Sequence, residues 1–82
     1  MNKDEAYDLI VNYFTEQLEI PREKIKPEVH LFDDLGLDSI DALDMVGMLE
    51  SEFDLNMEDD ELKSIRTVQH VVDFLVKSIP QS

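Results

Sequence analysis

Ala42, Met45, Val46, Leu49 and Phe53 recur at i, i+3, i+4, i+7 and i+11, and this run of spacings decides most of what the chain can become. Side chains three, four and seven apart share one face of an α-helix, whereas a strand would scatter these odd and even spacings over both its faces. Such a helix is stable only when its apolar stripe is covered, so the rest of the chain must supply partners. Two segments do: Ala6, Ile10, Tyr13, Phe14 and Leu18 near the start, and Val68, Val71, Val72, Leu75 and Ile79 near the end.

Stops and caps divide the chain into four predicted helices, at about Asp4–Leu18, Ser39–Phe53, Asp59–Ile65 and from after Thr67 to about Ser78. Asn2 with Glu5 three residues on reads as a capping box, and Thr67 as the N-cap of the last helix. Pro21 ends the first helix and Pro80 the last. Between them, Ile20 to Asp38 forms a long connection holding Pro21 and Pro27 together with Ile25, Val29, Leu31, Phe32, Leu35 and Leu37. Its apolar content predicts that it lies across the core and contains a turn of helix. No segment reads as a strand. The expected fold is all-α: a small four-helix bundle with a long first loop and a short third helix, in a single domain over 1–82.

With 82 residues and no cysteine, the bundle has neither disulfides nor thiolate metal sites to hold it, and packing of its 43 % hydrophobic residues must suffice. Twenty acids against seven bases leave a net charge of -13. That balance repels nucleic acid and anionic membranes and steers the chain toward basic protein surfaces. The first residues lack the basic and apolar regions of a signal peptide, and no apolar run approaches the ~20 residues of a membrane span. The expectation is a cytoplasmic monomer.

The stretch Leu35-Gly36-Leu37-Asp38-Ser39-Ile40-Asp41 opens the second helix. Asp38 suits the N-cap and Asp41 can reach back to it. Both carboxylates suit the positive end of the helix dipole. Ser39 then occupies the first helical position with its hydroxyl free for an enzyme to modify. The residues also admit Ser39 itself as N-cap, with Asp38 in the loop. Beyond it, Ile40, Leu43 and Gly47 fall off the core stripe, among Asp41, Asp44, Glu50 and Ser51. They make either a docking face for a basic partner or an ordinary surface with isolated apolar residues.

The segment Asp33-Asp34-Leu35-Gly36-Leu37-Asp38-Ser39-Ile40-Asp41, followed by Leu49-Glu50-Ser51-Glu52-Phe53-Asp54, resembles the signature of bacterial acyl carrier proteins. Ile65-Arg66-Thr67-Val68-Gln69 is similar to that family's entry to its fourth helix, and Leu18 to Ile20 and Phe32 sit where it places core residues. The resemblance implies that Ser39 receives 4'-phosphopantetheine from coenzyme A through an Mg-dependent phosphopantetheinyl transferase. It implies that Asp38, Ile40, Asp41 and Asp44, with Leu43, Gly47 and Glu50 beside them, meet the transferase and the acyl-transfer, condensing and other acyl-processing enzymes. The chain itself would be a non-catalytic carrier for fatty-acid or related lipid or polyketide synthesis. Because it has no cysteine, the thiol for a thioester must arrive with the cofactor. Two positions depart from the family pattern: Ile40, where leucine is commoner, and Gly47, where a bulky apolar residue is common. Gly47 is expected to flatten the docking face and narrow the partner set.

Other readings fit less well. An EF-hand register on Gly36 puts Leu31, Leu35 and Ala42 at ligand positions, which fails. Weak divalent binding remains an expectation at Asp33 and Asp34 and at Glu58, Asp59, Asp60 and Glu61. A serine hydrolase lacks its G-x-S-x-G turn, and nothing in the sequence pairs His30 or His70 with Ser39. The remaining alternatives are an aminoacyl or peptidyl carrier, usually less acidic after its serine, and a cofactor-free acidic interaction module.

Overall fold

A computed structural model describes residues 1–79, and within them the stripes and caps produce α1 (Lys3–Gln17), α2 (Ser39–Phe53), α3 (Asp59–Ser64) and α4 (Val68–Ser78). Pro80, expected to stop the last helix, lies outside the described residues. The expected four-helix architecture with its long first loop and short third helix is what forms.

α1 starts where the Asn2 side chain accepts the Glu5 N–H at 2.8 Å. It ends with the Leu18 and Ile20 N–H groups both donating to the Phe14 carbonyl, which draws Glu19 into the left-handed region at φ +56°. Its inner face buries Ala6, Ile10, Val11 and Phe14, whereas Tyr13 and Leu18 are half-buried. Against this face packs α4, the principal helix–helix contact of the molecule. α4 buries Val68, Val71, Val72, Phe74 and Leu75. Phe74 falls outside the predicted stripe because α4 is covered from two sides: α1 takes one, and Phe74 turns toward Ile65 on the α3 side.

α2 buries Met45, Val46 and Leu49. The expected stripe was longer, but Ala42 and Phe53 are only half-buried. Phe53 is the last residue of its helix, and Ala42 lines an open cavity described below.

The long connection behaves as a strap. It contains the expected helical turn, a 3₁₀ segment at Arg22–Lys24, and a second turn in which the His30 carbonyl accepts from Asp34 and Leu35. Ile25, Leu31 and Leu37 enter the core, and the Tyr7 hydroxyl donates to the Ile25 carbonyl at 2.9 Å. The start of a helix leaves N–H groups without intrahelical acceptors. At α4 the strap supplies them: Val68 donates to the Val29 carbonyl at 3.2 Å and Gln69 to that of Pro27 at 2.8 Å. Leu31 returns a bond to the Arg66 carbonyl at 2.8 Å, so His30 and Thr67 form an isolated antiparallel bridge. The next N–H, of His70, goes to Thr67 Oγ1, while His70 Nδ1 accepts from Arg66 and Thr67. His30 Nδ1 does the same for Phe32 and Asp33. Both imidazoles therefore fit the neutral tautomer that carries its proton on Nε2.

Phe32 is a correction. The resemblance puts it in the core, yet it is 38 % exposed. Its ring lies 5.9 Å from that of His30, and its other side faces the cavity beside α2.

Candidate functional site

The start of α2 is set by reciprocal bonds between two aspartates. Asp38, in extended conformation, accepts the Asp41 N–H on Oδ1 at 2.9 Å, and Asp41 Oδ2 accepts the Asp38 N–H at 3.4 Å. With Asp38 as N-cap, the alternative of Ser39 as cap is removed. Ser39 is the first residue of the helix, exposed, and its hydroxyl makes no hydrogen bond among the described residues. Gly36, three residues before it, has φ +73°, a conformation that a side chain rarely adopts, and so turns the chain into the helix.

Ser39 also stands at the mouth of an apolar cavity of about 280 Å³. Leu31 and Phe32 of the strap, Ala42, Met45 and Val46 of α2, and Leu62 and Ile65 at α3 enclose it. No sequence pattern announced this space, because it arises from the way α3 stands off α2. α3 buries none of its own residues.

The predicted docking residues lie around the serine, but not all in the same condition. Ile40 and Leu43 are 67 % and 64 % exposed, the largest apolar side chains so displayed among the described residues apart from Phe32. Asp44 and Gly47 are exposed beside them. A Cβ built on Gly47 would meet nothing within 4 Å, so no packing demand explains the glycine. Glu50 differs: it is half-buried and its Oε2 accepts the Met57 N–H at 3.1 Å, fastening the loop between α2 and α3. On the other flank, Tyr13 of α1 faces the same acids. Burial, then the charges of Asp44 and Asp41, raise its phenol above the ordinary tyrosine range.

His30 and His70 both spend Nδ1 on backbone N–H groups elsewhere. Among the described residues, no three His, Asp or Glu side chains converge to hold a metal ion, including the acids at 33–34 and 58–61. Among the described residues, no helix is long and apolar enough to cross a membrane. What the arrangement offers is a free hydroxyl, two unpaired N–H groups at the start of a helix, and an apolar cavity beside them. A phosphodiester on Ser39 would meet the N–H groups of Ser39 and Ile40, which no intrahelical acceptor claims. The cavity admits an apolar tail.

Comparison with known proteins agrees with this chemistry. Residues 8–75 match the family described as "Phosphopantetheine attachment site". An acyl carrier protein of Chlorobium phaeovibrioides is 40 % identical over 75 residues, covering 92 % of this chain and 91 % of that one. One from Syntrophobacter fumaroxidans is 42 % identical over 69 residues, covering 84 % and 85 %. The crystal structure of an acyl carrier protein from Thermotoga maritima superposes with a TM-score of 0.81 at 33 % identity, covering 96 % of this chain and 92 % of that one.

Proposed function

Since this chain belongs to the acyl carrier protein family, we propose that Ser39 is the residue through which it holds its covalent 4'-phosphopantetheine. The chain is a non-catalytic carrier of acyl intermediates. When bound, the cofactor supplies the thiol on which those intermediates travel as thioesters, a group this cysteine-free chain cannot provide.

The observation that carries the Ser39 assignment is the division of labour at the start of α2. Asp38 and Asp41 satisfy each other's backbone, which leaves the Ser39 hydroxyl exposed and unengaged. A phosphopantetheinyl transferase would read the flanking acids with basic residues and the exposed Ile40 and Leu43 with an apolar patch. Asp38, Asp41 and Asp44 supply charge, and Gly47 allows close approach. Glu50 contributes by fixing the loop after α2 rather than as a free contact. The same face would serve the acyl-processing enzymes of fatty-acid or related lipid or polyketide synthesis, in the cytoplasm. The cavity between α2, the strap and α3 would shelter the tail of an acyl chain between encounters.

Incubation with coenzyme A, Mg and a broad-range transferase, followed by intact mass measurement, tests the assignment. The wild-type chain gains one phosphopantetheine mass and Ser39→Ala gains none. An adduct on the Ser39→Ala protein, or none on folded wild type, would overturn it.

A further inference from the structure

A second groove runs along the opposite flank of α2, where it meets α1. It is shallow, about 510 Å³ in volume, with Leu9, Tyr13 and Met48 half-buried along its floor. Glu5, Asp8, Glu16 and Glu52 rim it. None of these four carboxylates has an ion-pair partner among the described residues, and no Lys, Arg or His lines the groove. One cation reaches its edge: the Arg22 guanidinium donates at 2.6 Å to Oδ1 of Asn12, which also lines the groove. Two other surface grooves differ, one including Lys77 and His70 and another Lys3, while the cavity at Ser39 lacks both cations and carboxylates. At one end, Tyr13 brings the floor up to Asp41 and Asp44.

From this arrangement we infer that the α1–α2 groove is a second docking surface, whose occupant is a cationic amphipathic helix of a partner protein. Four unpaired carboxylates around an apolar floor are complementary to Lys and Arg flanking an apolar stripe. The length agrees: from Glu5 to Gln17, α1 rises about 18 Å, which is a little over three turns of a partner helix. The groove shares no lining residue with the cavity at Ser39, so the two are separate surfaces that approach each other at the Tyr13 end. The inference does not depend on what Ser39 carries.

The probe is a synthetic fourteen-residue helical peptide of lysines and leucines with the leucines on one face, titrated into the full chain and followed by NMR and calorimetry. The expected result is that chemical-shift changes concentrate on Leu9, Tyr13 and Met48. Asp8→Lys with Glu52→Lys then weakens binding at least about tenfold, whereas Glu23→Lys with Glu28→Lys, an equal change in net charge on the strap, weakens it less than about threefold. Circular dichroism checks that each variant is folded, and the wild-type shift map stands even if one is not. Shifts centred on Ile40 and Leu43, shifts spread over the whole surface, or equal weakening by the two charge reversals would overturn the inference.

Discussion

Asp38 and Asp41 each accept the other's backbone N–H, at 2.9 and 3.4 Å, across the residue that the site presents. The pair carries two negative charges at the positive end of α2 and leaves Ser39 with nothing structural to do. Replacing the cap by Asp38→Ala is expected to destabilise the fold by about 1 kcal/mol, and Asp38→Asn by distinctly less, since the amide oxygen can still accept the Asp41 N–H. Urea unfolding followed by circular dichroism measures both. Equal losses would mean that the charge, not the cap, is what α2 uses.

Gly47→Ala is expected to stabilise the protein by roughly 0.5–1 kcal/mol, because an interior helical glycine is unfavourable by that amount and a new Cβ meets no atom within 4 Å. The same substitution narrows the approach to the exposed face, so transfer rates from a partner enzyme should fall while stability rises. A shift of the urea midpoint to lower concentration would contradict the first half of this prediction.

Asp54 closes α2 at φ +55°, with the Leu55 N–H donating to the Glu50 carbonyl. A side chain in that region is strained, and glycine is not. Asp54→Gly should therefore gain about 0.5–1 kcal/mol despite the greater freedom it gives the unfolded chain. Thermal unfolding at several scan rates checks it; a lower midpoint would show that the aspartate has a role beyond the turn.

Tyr13 makes the alkaline limb of stability predictable. Burial first, then Asp44 and Asp41, raises its phenol above the ordinary value of 10.0, so the folded chain holds this proton more tightly than the unfolded one. Its contribution is complete below pH 10 and is lost as pH rises through the folded-state value. Tyr13→Phe should flatten that decline. Asp44→Asn should move the phenol's absorbance titration to lower pH. An unchanged titration would mean that Asp44 does not act on it.

The parts of the fold that were legible are those fixed by neighbours in sequence. The bounds of α2, its cap at Asp38 and the stripe of Met45, Val46 and Leu49 follow from spacings of three and four; α4 runs as expected, and α1 and α3 differ from expectation only at their ends. Phe74 and Val11 were missed because a helix covered from two sides buries more than its nominal stripe. The strap was recognised as apolar, but not that its carbonyls at Pro27 and Val29 would complete α4, since the complementarity joins residues about forty apart. The imidazole caps at His30 and His70 left no sequence signal either, although His70 is exposed on α4 as its position suggests. At the site, the serine and its flanking acids were readable. The cavity was not, because it is defined by where α3 fails to pack, and an absence of contact has no periodicity.

The strap has a mechanical consequence. α4 and the segment Pro27–Leu31 are joined by backbone bonds from separate parts of the chain, and α1 packs against α4, whereas among the described residues no backbone bond ties α3 to another helix. α3 is held by Leu62 and by one ion pair between Glu61 and Lys77 at 4.0 Å. α3 is therefore the wall with the fewest ties to the rest of the frame. If the cavity shelters an acyl tail as proposed, a longer guest beneath Ser39 would displace α3 and leave the bonds between strap and α4 intact, and amide exchange should run fast in α3 while the first turn of α4 stays closed.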